Sequence, residues 1–277
     1  MEHGAGSGGA GLGLTPIAAF VRIKPLDADV GGGTATTKRV ASWDEHAGTI
    51  DMEVGGRGVK SFDFPGAGGT LPPEAAQEHV YGAIAAPLVE QFCAGFDVDL
   101  ISYGQTGSGK TFTMFGPPHS MAEAAALQSR SGAGTGISGE AILRPEHGFL
   151  LRAGLDSLAA VAALRARGCK AVLHGSMIEM SIQSFTDQNC KDLLKDLAVC
   201  FVDEQYHLQG ASQMELRCAA DVVHLAAAVE TRLTRGTKMN DTSSRRYCTV
   251  CPEPLFALRM TLAPAATASQ CSSSLCW

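Results

Sequence analysis

The chain has 277 residues, enough for one large α/β domain with a substantial core or for two small ones. It is 45% hydrophobic and 18% charged, and no apolar run approaches the ~18 residues of a membrane span, so none is expected. A net charge of −6 argues against a nucleic-acid binder, and the N-terminus has neither the basic start nor the apolar core of a secretory signal.

Residues 1–14 form a glycine-rich leader too poor in side chains to pack. Ile17 to Lys24 reads as a strand ended by Pro25, and residues 27–61, with the alternating run Thr49 to Val54, suit a small hairpin subsheet. Glu74 to Ala94 is predicted helical, with Val80, Ile84, Leu88 and Phe92 forming an apolar stripe. Pro87 should kink this helix or start a second one, and Gly95 is a good stop.

Val98 to Tyr103 is short and mostly apolar, as a buried strand should be. It leads into Gly104, Gln105, Thr106, Gly107, Ser108, Gly109, Lys110 and Thr111, which satisfy GxxxxGK[ST], the phosphate loop of P-loop NTPases. Lys110 to Met114 can open a helix, completing the strand–loop–helix context that the motif requires. Glycines let backbone N–H groups turn inward, and the helix start adds positive partial charge. Lys110 would reach the β- and γ-phosphates and Thr111 would offer its hydroxyl to Mg²⁺.

Pro117-Pro118 ends this helix, and residues 117–146, rich in Gly, Ser, Ala and Pro, read as a long surface loop. Phe149 to Ala166 regains helical spacing, Lys170 to Ile182 alternates like a strand, and Val222 to Leu233 marks another helix closed by Gly236. Ala263 to Trp277 is a low-complexity tail without a period. Nine scattered cysteines read as reduced cytosolic thiols. Cys248 and Cys251 form a CxxC, but Cys271 and Cys276 are too loosely spaced for the second knuckle of a zinc ribbon. Strands alternating with helices around a phosphate loop imply an α/β sheet with nucleotide at its carboxyl edge.

The run from Tyr103 to Met114 closely resembles the phosphate loop of kinesin motor domains. Other segments follow in kinesin order. Val21 to Leu26 resembles the RxRP motif, and Phe62-Asp63-Phe64 and Gln77 to Tyr81 resemble the FDxVF and QxxVY segments. Gly148 to Arg152 resembles GxIPR, Ser184 to Leu194 resembles the strand ending in DLL, and Thr237 to Arg245 matches switch I, TxMNxxSSRSH, over most of its length. The resemblance implies a kinesin-like P-loop NTPase fold, a central mixed β-sheet flanked by helices, over residues 15–262. It implies ATP and Mg²⁺ as cofactors, microtubules (tubulin) as the partner, and a cytoplasmic, cytoskeletal location. Asn240, Ser243 and Ser244 would contact the γ-phosphate, the attacking water and the Mg²⁺ shell, with Ser244 joining Thr111 at the metal. Arg245 would pair with a switch II glutamate, and Arg22, Lys24, Pro25 and Tyr81 would frame the base.

Three departures qualify the match. Arg246 and Tyr247 replace the Ser-His that ends switch I, and Lys24 replaces an Arg, losing a planar stacking surface. No DxxG, the switch II signature, occurs downstream of the loop. The expectation is a C-terminally truncated motor with central strands missing, a raw sheet edge, and impaired hydrolysis and microtubule binding. The alternative is a non-motile nucleotide-binding derivative acting as a regulatory or interaction protein. An unrelated GTPase fits less well, because Asn189-Cys190-Lys191-Asp192 puts the lysine one place late for NKxD.

Overall fold

The computed structural model describes residues 17–25, 39–54, 58–64, 69–104, 107–130, 142–181, 189–196, 198–202, 208–228, 255–264 and 273–276. The chain divides into two compact units, Met1–Pro73 and Glu74–Trp277. The boundary falls inside the span that the sequence reading treats as one domain.

In the first unit, β1 (Val21–Arg22) pairs in parallel with β5 (Thr70–Leu71), shorter than the strand expected from Ile17 to Lys24. The expected hairpin subsheet is present as an antiparallel sheet of β2 (Arg39–Asp44), β3 (Thr49–Glu53) and β4 (Val59–Asp63). Its first turn is built by Asp44, whose carboxylate accepts from the backbone N–H groups of His46 and Ala47, both at 2.9 Å.

The second unit opens with two helices, α1 (Gln77–Ile84) and α2 (Ala86–Cys93), and Pro87 begins the second. Gly95 ends α2 at φ 101°, with Phe96 N–H donating to Gln91 O at 3.1 Å and Gly95 N–H to Phe92 O at 3.0 Å. Of the predicted stripe, Val80 and Phe92 are fully buried and Ile84 and Leu88 half-buried, and Val89 beside it is buried as well. The long helix α5 (Phe149–Ala166) covers the predicted span, and the long strand β7 (Ala171–Ser181) follows as expected.

An eight-stranded sheet runs in the order β10–β9–β8–β7–β12–β13–β6, with β11 also on β7. Here β6 is Val98–Asp99, β8 Asn189–Asp192, β9 Ala198–Val202, β10 Leu208–Gln209 and β11 Met214–Glu215. The remaining strands, β12 (Leu255–Pro264) and β13 (Ser273–Cys276), come from the C-terminal stretch. A helix over 219–228 packs against β7 and α5 at two glycines. A Cβ on Gly175 would stand 2.6 Å from Leu225 Cδ2, and one on Gly154 would stand 2.4 Å from Val222 Cγ1.

Three expectations are corrected. Residues 117–146 are not all loop: α4 (Ser120–Arg130) forms there, and Met121, Ala124 and Ile142 are fully buried. The run Met121 to Leu127 is rich in strong helix formers, and the two prolines stand ahead of the helix start, where they are tolerated. The tail is not without structure: Ala263 and Pro264 end β12, and Ser273–Cys276 form β13. Consequently, among the described residues, the sheet runs unbroken from β10 to β6. β12 pairs with β7 from Leu255↔Met180 to Pro264↔Ala171, and β13 bridges β12 to β6. Tertiary pairing supplies what local propensity lacks.

Candidate nucleotide-binding site

The phosphate-loop strand is only Val98–Asp99, running parallel to β13 with Leu275↔Val98 and Cys276↔Asp99 in register. The chain then leaves the sheet and reaches Gly104, Gly107, Ser108 and Gly109 before α3 (Lys110–Phe115). Gln105 and Thr106 lie outside the described residues. Gly107 and Gly109 have φ of 80° and 100°, conformations that residues with a Cβ rarely adopt. A Cβ on Gly104 would stand 2.5 Å from Ser108 Oγ, so the Ser108 side chain would have to shift to admit one. Lys110 Nζ donates to Gly104 O at 2.7 Å, so the amine closes back over the turn. Thr111 is exposed on the first turn of α3. A cationic amine held across a glycine turn, with an open hydroxyl next to it, fits a polyphosphate with its divalent cation.

None of the six residues of α3 is buried, so burial alone does not hold this helix in place. Its C-terminal carbonyls are tied instead. Phe112 O accepts from the Gln77 side-chain amide and from Gly116 N–H at 2.9 Å. Phe115 O accepts from Gly148 N–H at 3.2 Å and from Ser120 Oγ at 3.3 Å. Gly148 comes so close that a Cβ on it would meet Phe115 N at 2.5 Å and Met114 C at 2.6 Å. Gly116, at φ 102°, reverses the chain out of α3.

The turn before α5 is held by Arg152, which is 5% exposed. Its Nε donates to His147 O at 3.0 Å, and its Nη2 donates to Arg144 O at 3.1 Å and Pro145 O at 3.0 Å. His147 Nδ1 accepts from Arg144 N–H at 3.0 Å. Burial holds the His147 pKa below the ordinary histidine value. Its Nε2 has no partner of hydrogen-bond geometry, although the Ser120 backbone lies near enough to favour the protonated ring. Sequence reasoning singled out Gln77, Gly148 and Arg152 only as parts of weak motifs and gave them no role.

Tyr81, which the resemblance puts at the base, makes its contacts within the second unit. It is 6% exposed, its ring meets Phe149 edge-on with centroids 5.8 Å apart, and its hydroxyl donates to Asp156 Oδ2 at 2.5 Å. Burial first, and then the Asp156 hydrogen bond, push its pKa up. Tyr81 therefore ties α1 to α5, and its ring and hydroxyl are both engaged there. Arg22 ends β1 in the first unit, and Lys24 and Pro25 follow it, both exposed. Asn240, Ser243, Ser244 and Arg245 lie outside the described residues, as do Cys248 and Cys251. Among the described residues no group of His, Cys, Asp and Glu could hold a metal ion, and no helix is long and apolar enough to cross a membrane.

Comparisons with known proteins agree with this arrangement. Residues 22–251 match the family model of the kinesin motor domain. Kinesin-like protein KIN-12B of Arabidopsis thaliana is 30% identical over 177 residues, covering 64% of this chain and 13% of that protein. Kinesin-like protein K39 of Leishmania chagasi is 28% identical over 270 residues, covering 83% of this chain and 25% of that protein. The chain thus matches only a minor part of the length of these relatives. Among solved structures, Drosophila NOD, docked with bovine tubulin into a map of nucleotide-free NOD complexed to the microtubule, shares the fold. Its TM-score is 0.57 at 19% identity, covering 94% of this chain and 68% of that one. The family match takes in most of the chain and includes the phosphate loop, β7 and the switch I segment: this chain belongs to the kinesin motor-domain family.

Proposed function

We propose that this chain is an ATP-binding unit of a microtubule-based kinesin motor. The observation that carries the reading is the glycine turn with Lys110 Nζ closed onto Gly104 O at the head of α3. Backbone N–H groups of the loop and Lys110 would hold the phosphates, and Thr111 with Ser244 would hold Mg²⁺. Mg²⁺, when bound there, would supply charge neutralisation to the phosphates. Asn240 and Ser243 would sense the γ-phosphate, and Arg22, Lys24 and Pro25 would frame the base. Microtubules are the proposed partner, supported by family membership and by the microtubule-bound state of NOD. The proposed location is the cytoplasmic cytoskeleton.

Hydrolysis by these 277 residues alone should be slow, because phosphoryl transfer depends on positioned charge and no DxxG follows Lys110. Arg246 and Tyr247, which stand where the switch I motif ends in Ser-His, favour a second reading, a nucleotide-binding kinesin derivative without motility. Measuring ATP turnover with and without microtubules, against Lys110→Ala, separates the two. Turnover that microtubules raise and Lys110→Ala abolishes supports the motor. ATP binding with no stimulated turnover supports the derivative.

A further inference from the structure

We propose that Gln77 is a positioning residue for the phosphate loop, acting through the carbonyl of Phe112 on the placement of Lys110 and Thr111. This inference rests on the nucleotide reading of the loop. A six-residue helix is too short to be stable by itself, and no residue of α3 is buried. Its position therefore depends strongly on polar ties from neighbouring elements. Gln77 is the first residue of α1, is 3% exposed, and spans from that helix to Phe112 O.

The Phe112 carbonyl stands two residues after Lys110, and a helix advances only about 1.5 Å per residue. Shifting that carbonyl therefore moves the stretch of backbone that carries Lys110 and Thr111. Phe112 O also accepts from Gly116 N–H, so both lone pairs are engaged and the acceptor is fixed from two directions. Only a donor can serve at position 77. A methionine keeps the length without donating, and an ionised carboxylate would face the carbonyl with two acceptors. A protonated carboxyl regains a donor.

The test is the affinity of the full chain for a fluorescent ATP analogue with Mg²⁺, measured beside Lys110→Ala, Gln77→Met and Gln77→Glu. Thermal midpoints are recorded for each. Gln77→Met is expected to bind about three- to tenfold more weakly while remaining folded, the worth of one hydrogen bond. Gln77→Glu is expected to bind weakly at neutral pH and to regain the unaltered chain's affinity, compared at each pH, as pH falls through the carboxyl range. If Gln77→Met does not fold, the Gln77→Glu series decides alone. Unchanged affinity in Gln77→Met, or a pH-independent ratio for Gln77→Glu, overturns the proposal and leaves the nucleotide reading standing. If the unaltered chain does not bind, or binds no better than Lys110→Ala, both fall together.

Discussion

Gly148 lies against Phe115 with no room for a side chain: a Cβ would be 2.5 Å from the Phe115 nitrogen, while Gly148 N–H donates to Phe115 O at 3.2 Å. Its φ of −79° suits any residue, so glycine is required here by proximity alone. Gly148→Ala must push the start of α5 away from the end of α3. The expected cost is about 1–3 kcal/mol, typical of overpacking against atoms that cannot move aside. Urea denaturation of the two proteins measures it.

Tyr81→Phe removes a buried hydroxyl and leaves Asp156 without that donor. Loss of a hydrogen bond to a charged acceptor should cost about 1.5–3 kcal/mol of stability. Because Tyr81 serves the α1–α5 contact, ATP affinity should stay unchanged. A drop in affinity at unchanged stability would return Tyr81 to the base.

Stability should depend on the protonation of His147. Burial lowers its folded pKa below the ordinary value, opposed first by the Ser120 backbone and then by Glu146, with Arg144 and Arg152 adding to the lowering. The folded state thus binds the proton less readily than the unfolded chain does. This contribution is fully present above the unfolded value of about 6.5, and is lost as pH falls from there through the lower folded value. Equilibrium unfolding of the unaltered chain should weaken over that window, and His147→Asn should flatten the dependence.

Leu275 in β13 is paired with Met260 on one side and Val98 on the other, so β13 is an interior strand. A proline there deletes a ladder donor and interrupts the pairing that joins β6 to the sheet. Leu275→Pro should speed amide exchange at Val98 and Asp99 and lower solubility by freeing a strand edge. Exchange at those two amides equal to that of the unaltered chain would show that β13 does not hold β6.

Elements with a strong local signature were legible in the sequence. The four-residue spacing of Val80, Ile84, Leu88 and Phe92 across α1 and α2, the alternation along β7 and the glycines of the phosphate loop all report local physics. β13 was not legible, because the run Ser273, Ser274, Leu275 and Cys276 is too short and too polar to carry a strand period. Its conformation comes from the slot between β12 and β6. α4 was hidden by the Gly, Ser and Pro residues around it. At the site, the motif identifies Lys110 and Thr111, whereas Gln77, Gly148 and Arg152 act on the backbone of other segments. Only the folded arrangement brings those pairs together. For Tyr81 the motif gives the residue's identity, whereas its contacts with Phe149 and Asp156 come from the fold.

The most direct measurement is a calorimetric titration of the full chain with ATP in the presence of Mg²⁺, repeated with Lys110→Ala. Removing the amine that closes over Gly104 O should weaken binding by at least about tenfold, the worth of a charge-assisted hydrogen bond. Saturable binding by the unaltered chain, lost or severely weakened in Lys110→Ala, is the expected result. No binding, or equal binding by both proteins, would contradict a nucleotide site at this loop.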